Sequence, residues 1–420
     1  MNMIKREIYK NLEKHLLEKE ITLIVGARQT GKTTLMLLLE EKLKTQSKKT
    51  VFLSLDNEQD MEYFRSQKDL INFLKLNLGE SKGYVFIDEI QRKENAGLFL
   101  KGIYDQNFPY KFIVSGSGSL ELKEKIHESL AGRKKIFEIM PISFKEFINY
   151  KTKYKYENKI IDFFKYDRNL PQQLFEEYVK YGGYPRVVIS ETHDNKISSI
   201  KEIYTSYIEK DIMNLLNIQK SESFSNLLTI LSSQIGQLVN YTELSSTLDL
   251  DVNTVKKYLW YLRKTFINIK VSPYFKNVRK ELIKAPVFYF SDLGMRNYAF
   301  NRLSYFNLLQ DGGFLFQNLI FLLLKDKYPN STINYWRSKG GAEVDFILNL
   351  GISSYPIEVK YKNLKDLNIS KSIVSYIGEY KPAKFFVINK NYTNTYKLDN
   401  TNIEFIPYYE LMETLLTETD

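Results

Sequence analysis

Cysteine is absent from all 420 residues. Disulfides, thiolate zinc sites and thiol nucleophiles are therefore excluded. Histidine is nearly as scarce: His15, His127 and His193 lie far apart and show no ligand spacing, so no zinc centre is expected. Long apolar runs are missing too. The segment Met1 to Asn11 has no apolar core for a signal peptide, and the longest apolar patch, Phe314 to Leu324, carries Gln317 and Asn318 and is too short to span a bilayer. A cytoplasmic chain without a membrane partner is expected. Lysine, by contrast, is abundant. The formal charge is +10, yet only 12 of the 60 basic residues are arginine, leaving 48 lysines beside many Asn, Ile and Tyr. Such a bias follows codon usage, so charge alone does not identify a nucleic-acid partner. The length implies two to four domains, each with its own core.

The most informative stretch is Gly26-Ala27-Arg28-Gln29-Thr30-Gly31-Lys32-Thr33, a match to G-x-x-x-x-G-K-[ST]. It follows the apolar run Ile21 to Val25 and precedes the helical Thr34 to Leu43, which is the strand, turn and helix start that a phosphate site needs. Glycines let backbone N–H groups close on phosphate oxygens, and the helix N-terminus adds unpaired donors. Lys32 then reaches the β- and γ-phosphates and the Thr33 hydroxyl ligates Mg²⁺. About 55 residues later, Tyr84-Val85-Phe86-Ile87 runs into Asp88-Glu89. A buried strand in that place delivers Asp88 to the Mg²⁺ shell and Glu89 to the attacking water. The run Phe112-Ile113-Val114 ends in Ser115-Gly116-Ser117-Gly118-Ser119, where Ser117 is read as a sensor of the γ-phosphate, against an ordinary loop. Arg133 is read as a stabiliser of transition-state charge, acting in its own or a neighbouring subunit, against an ordinary surface arginine.

Short apolar runs (Ile21–Val25, Val51–Leu55, Tyr84–Ile87, Phe112–Val114) separated by amphipathic segments imply a doubly wound parallel sheet over residues 1–144. Residues 145–217 read as a helical lid, with one turn at Gly182-Gly183-Tyr184-Pro185. Residues 218–300 hold three helical stretches, Phe224 to Ile235, Tyr241 to Leu248 and Val252 to Lys264, then strand-like Ile267–Val271 and Val287–Phe290. That order predicts a winged helix-turn-helix. Asn253, Lys256, Lys257 and Arg263 of its third helix are placed to meet DNA, while Val255, Tyr258, Leu259 and Leu262 face inward; a protein-contact role is equally open.

In residues 301–420 an apolar helix, Gly313 to Asp326, precedes the strand-like Thr332 to Trp336 and a hairpin from Ala342 to Tyr361 that turns near Gly351. Asp345 lies on one arm and Glu358-Val359-Lys360 on the other, with Glu358 and Lys360 on the same strand face. Asp345 and Glu358 are candidate Mg²⁺ ligands and Lys360 a group that orients or deprotonates water. The pattern resembles the D…E-x-K site of restriction-endonuclease-like nucleases. Gln317 stands where many of those enzymes carry a helical Glu, which removes a charge and weakens metal binding. Structural ion pairs and DNA contact without cleavage remain open beside cleavage. Trp336 and Arg337 are read as packing and bracing the hairpin, against clamping DNA.

These motifs, with Gly26 through Thr34, Asp88-Glu89-Ile90-Gln91, Leu130-Ala131-Gly132-Arg133, the Tyr181-Gly182-Gly183-Tyr184-Pro185 turn and Trp336-Arg337 through Glu343-Val344-Asp345-Phe346, resemble a prokaryotic family of AAA+ ATPases with a C-terminal domain of unknown function, DUF4143-type. The resemblance spans nearly the whole chain. It implies an α/β fold: a P-loop NTPase parallel sheet with a helical lid, followed by a winged helix and a restriction-endonuclease-like α/β domain. ATP and Mg²⁺ are the implied cofactors. The leading expectation is an ATPase that couples nucleotide state to the winged helix and nuclease-like domain on DNA. A nucleotide-gated switch for a protein partner and an ATP-regulated DNA nuclease are the alternatives.

Overall fold

The apolar runs become five neighbouring strands. The computed structural model describes residues 3–117, 129–167, 169–212, 221–274, 285–366 and 369–413; His127, Gly118 and Ser119 lie outside them. Strands β1 (Ile21–Gly26), β2 (Thr50–Ser54), β3 (Gly83–Asp88), β4 (Tyr110–Ser117) and β5 (Lys134–Glu138) form one sheet in the order β2-β3-β4-β1-β5. Every pairing is parallel. Because side chains alternate across a strand, each strand feeds two cores. Ile24, Phe86 and Ile113 meet Leu35, Met36 and Leu39 of helix Lys32–Thr45 on one face. Leu23, Val25, Val85, Ile87 and Val114 meet Leu70, Leu74 and Leu100 on the other. Parallel packing also brings all C-terminal strand ends to one edge, so Gly26, Asp88 and Ser117 emerge together. Strand β5 was not among the expected strands; its Lys-Lys-Ile-Phe-Glu sequence suits an edge position with one dry face.

Helices Phe144–Lys151, Ile160–Tyr166, Leu170–Tyr181, Pro185–Ile189 and His193–Tyr204 follow the sheet. The Gly182-Gly183 turn between them is a junction rather than a simple reversal. Gly182 adopts φ 73°, and a Cβ on Gly183 would lie 2.1 Å from the Ile142 carbonyl oxygen. The Gly183 N–H donates to Asp292 Oδ2 at 2.7 Å, while the Met295 N–H donates to Asp292 Oδ1 at 2.8 Å. Asp292 thereby caps helix Leu293–Ala299 and holds the glycine turn with the same carboxylate. Burial pushes that carboxyl up to about 6. Asp292→Ala is expected to cost about 3 kcal/mol, because several buried N–H groups lose their acceptor at once. A urea midpoint equal to that of the unaltered protein would contradict this.

Three helices, Ser221–Ser233, Tyr241–Leu248 and Val252–Lys264, precede the antiparallel pair β6 (Asn268–Val271) and β7 (Val287–Phe290). Asn240 and Asp251 accept backbone N–H bonds at the starts of the second and third helices. Val255, Tyr258, Leu259 and Leu262 are buried, and Asn253, Lys256, Lys257 and Arg263 are exposed.

The C-terminal unit joins helix Leu308–Lys327 to a mixed sheet of β8 (Thr332–Arg337), β9 (Glu343–Leu350), β10 (Ser353–Val359), β11 (Lys384–Asn389), β12 (Asn394–Leu398) and β13 (Thr401–Pro407), ordered β12-β13-β11-β10-β9-β8. Helix Lys371–Tyr380 covers one face through Ile373, Tyr376 and Ile377. Trp336 is buried edge-on against Tyr376, so it packs. Phe144, Phe164 and Phe175 all contact Tyr408, and Phe175 also meets Phe316 and Tyr361. This aromatic cluster seats the C-terminal unit on the preceding helices. Among the described residues no helix is long and apolar enough to cross a membrane.

Candidate functional site

The glycine loop leaves β1 under tight steric control. A Cβ on Gly26 would fall 2.3 Å from the Ile139 carbonyl oxygen, and Gly31 has φ +95°, a conformation that favours glycine. Gly31 caps helix Lys32–Thr45 without any side-chain hydrogen bond, so the first helical N–H groups stay available to an anion. Thr30 is buried and its hydroxyl donates to the Ala27 carbonyl at 2.9 Å, closing the loop on itself. Ala27 is buried, Arg28 half-buried, and Gln29, Thr33 and Thr34 exposed along the rim.

Lys32 is 5% exposed, and its Nζ donates to Ala27 O at 2.8 Å and Gly26 O at 3.2 Å. Burial pulls its pKa down to about 8, although Glu89 and Asp88 oppose the shift. The ammonium is thus poised inside the cradle on neutral acceptors. Charged phosphate oxygens are stronger acceptors than carbonyls.

Asp88 ends β3 buried, two strands from the loop in sheet order, and still meets it. The Thr33 hydroxyl donates to Asp88 Oδ2 at 2.8 Å. The buried Ser115 hydroxyl donates to the other oxygen, Oδ1, and in turn accepts the Glu89 N–H at 3.2 Å. Glu89 sits at φ 56°, and its carboxylate accepts from Gln91 Nε2. Gln91 Oε1 then accepts the Ser117 N–H at 3.2 Å. Hydrogen bonds therefore connect the expected residues Thr33, Asp88, Glu89 and Ser117, and Lys32, bonded to the Gly26 and Ala27 carbonyls, adjoins them through Thr33. Ser115 and Gln91 complete the group; among the serines the sequence pointed to Ser117, and it gave Gln91 no role. Ser117 enters through its backbone, whereas Ser115 supplies the hydroxyl on Asp88.

Arg133 lies elsewhere. The Ile21 N–H donates to Arg133 O at 2.9 Å, which puts Arg133 where β1 begins, at the edge opposite the glycine loop. Its guanidinium pairs with Asp105 at 2.7 Å. The reading of Arg133 as a charge stabiliser for its own subunit's phosphates is corrected by this placement.

The C-terminal candidates do converge. Gln317 Nε2 donates to Asp345 Oδ1 at 2.7 Å, the Val359 N–H donates to Asp345 Oδ2 at 2.7 Å, and Lys360 Nζ donates to Glu358 Oε1 at 2.6 Å. Glu358 Oε2 is buried without a hydrogen-bond partner. Burial and the neighbouring Glu358 raise the Asp345 carboxyl well above its usual range, and burial likewise raises Glu358 against the pull of Lys360. Burial lowers the Lys360 ammonium, but Glu358 and Asp345 more than restore it. A lysine held protonated orients water and does not deprotonate it. A cleft of about 500 Å³ reaches Asp345 between the Gly236–Leu238 turn and strands β8 and β9. Among the described residues no cluster of three or more metal-ligating acids or histidines occurs.

Family models match three consecutive stretches: an AAA domain over residues 18–148, a domain of unknown function (DUF8612) over 172–305, and a domain of unknown function (DUF4143) over 312–411. The middle match crosses the boundary expected at 217. An uncharacterized protein of Haemophilus influenzae is 25% identical across 96% of this chain and 98% of its own. An uncharacterized protein of Methanocaldococcus jannaschii is 25% identical across 96% of this chain and 85% of its own. The AMPPCP-bound DnaA of Aquifex aeolicus covers 70% of this chain and 92% of its own at 15% identity, with a TM-score of 0.31, a likeness too loose to carry any argument. A parallel sheet with a glycine loop at its C-terminal edge lies under the AAA match and a second α/β sheet under the DUF4143 match, so the chain carries an AAA domain followed by a C-terminal DUF4143 domain.

Proposed function

We propose that the protein hydrolyses Mg-ATP at the glycine loop and uses the cycle to reposition a winged helix and the C-terminal unit on DNA. The observation that carries this reading is the 2.8 Å contact between Thr33 and Asp88, which joins loop and acid strand beside Lys32 and Glu89. Two hard oxygen donors at one point suit Mg²⁺, with the Thr33 hydroxyl as ligand and Asp88 supporting its waters. An ion held by these residues would supply positive charge against the phosphate oxygens. Lys32 grips the same oxygens, and Glu89 takes the proton of the attacking water once Gln91 releases its carboxylate. Ser117, tied to Gln91 through its amide, reports the γ-phosphate to that pair.

Three helices followed by the antiparallel pair β6 and β7 support a winged helix, with Asn253, Lys256, Lys257 and Arg263 exposed on the third helix. Three cations on one helix face suit phosphate contacts. ATP turnover measured with and without double-stranded DNA tests the coupling: stimulation is expected, along with DNA binding that weakens steeply as salt rises. Unchanged turnover and salt-insensitive binding would favour a switch for a protein partner.

A nuclease reading of the C-terminal unit is favoured by the partnerless Glu358 Oε2, a buried lone pair of the kind a cation fills. Asp345 and Glu358 would hold that metal, with Gln317 a neutral ligand and Lys360 orienting water. Plasmid incubated with Mn²⁺ is the measurement, and nicking that survives Asp345→Ala removes the site.

A further inference from the structure

Residues before the sheet reach into the glycine loop. Arg6 precedes helix Tyr9–His15, and its side chain is 9% exposed. Its Nη1 donates to the Thr30 carbonyl at 3.1 Å, its Nη2 to the Met140 and Pro141 carbonyls at 2.7 and 3.4 Å, and its Nε to Glu146 Oε2 at 3.0 Å. One planar guanidinium therefore ties the segment before the sheet to two distant stretches, the glycine loop at Thr30 and residues 140–146. Glu146 is buried and fully engaged: it also accepts the Glu7 N–H at 2.7 Å and the Ser143 N–H at 3.0 Å, the latter completing the capping box of helix Phe144–Lys151. That helix is anchored to the C-terminal unit through Phe144 on Tyr408 and a side-chain hydrogen bond between Ser143 and Asp326.

The Thr30 carbonyl has mechanical importance because of the planar trans peptide that follows it. Fixing that C=O fixes the Gly31 N–H, which points the opposite way, away from Arg6. Gly31, at φ +95° and with only Pro185 Cγ, 3.9 Å from the place of a Cβ, beside it, has glycine's backbone freedom, so a contact from outside the loop helps to set its plane. We infer that Arg6 is a positioning residue for the ATPase: it clamps the Thr30 carbonyl to Glu146 so that the loop amides are preset for phosphate, and it makes that preset depend on how helix Phe144–Lys151 is seated. The inference rests on the glycine loop being the nucleotide site.

Loop amides hold phosphate in the ground state and the transition state alike, so losing their alignment removes uniform binding. Arg6→Ala is therefore expected to raise the ADP Kd and the ATP KM about tenfold, the worth of one charge-assisted hydrogen bond, with kcat within about threefold. Arg6→Lys keeps a cation beside Glu146 but cannot serve the four acceptors of the guanidinium, so it should retain the fold and lose about threefold or more in ADP affinity. It decides the matter if Arg6→Ala does not fold. Lys5→Ala, next door on an exposed pair with Glu157, should leave both constants unchanged. An ADP Kd unchanged in Arg6→Lys, or a loss confined to kcat, overturns the assignment. No ADP binding by the unaltered full chain would instead overturn the nucleotide site itself.

Discussion

Glu89→Gln protein binds ATP with its usual affinity and turns it over about 10³-fold more slowly, the typical worth of a positioned general base. The reasoning is geometric. Glu89 lies one residue past Asp88, at the strand end, with its carboxylate turned to Gln91 rather than into the phosphate cradle. A carboxamide keeps size and hydrogen-bonding reach, so the loop, Lys32 and Thr33 are undisturbed and binding persists. It cannot accept the proton of the attacking water. Steady-state phosphate release beside an ATP titration separates the two quantities, and unchanged turnover would remove Glu89 as the base.

Lys32→Ala acts on the other quantity. With the ammonium gone, ATP affinity should fall about 100-fold, since each charge-assisted bond to phosphate contributes one to two decades. The same residue predicts a pH dependence. In the nucleotide-free protein burial has lowered the Lys32 pKa to about 8. Phosphate charge beside it favours the protonated form, so the bound pKa is higher than the free one. Below pH 8 the lysine is already protonated and affinity is flat. Above pH 8 binding must take up a proton, so affinity declines by up to tenfold per pH unit. In Lys32→Ala that decline should vanish, and its persistence would assign the linkage to another group.

Part of this was legible in the sequence because the chemistry is local. The glycine spacing, Lys32 and Thr33 sit within one turn of each other, and four apolar residues before Asp88-Glu89 mark a buried strand whatever the rest of the chain does. Pairing across the sheet was not legible. Whether Ser115 or Ser117 faces Asp88 depends on the register of β3 against β4, in which Ile87 stands beside Val114. Ser115 is therefore the residue level with Asp88, and spacing along one strand carries no trace of that. Arg133 failed for a related reason. It follows the serine loop closely in sequence, but a parallel crossover returns the chain to the start of the next strand, at the far edge.

The longer-range parts were hidden altogether. Arg6 and Glu146 are 140 positions apart and meet only when the last sheet strand leads into helix Phe144–Lys151. Asp292 was not singled out, and nothing local says that Gly183 shares its carboxylate. Beyond Lys360 the elements Lys371–Tyr380 and β11 to β13 were unread: β12 is mostly exposed and β13 alternates, so neither shows a continuous apolar run, whereas Phe385 to Ile388 of β11 is such a run and was passed over. The hairpin was found because Glu358 and Lys360 alternate on one face, and the 2.6 Å contact between them is the local consequence.

Calorimetric titration of the full chain with Mg-ATP, run in parallel on Lys32→Ala, is the most direct test of nucleotide binding in the glycine cradle. One saturable site in the unaltered protein, with little or no heat at the same concentrations in the variant, is the predicted result. No heat from the unaltered protein, or identical isotherms from both, would contradict it.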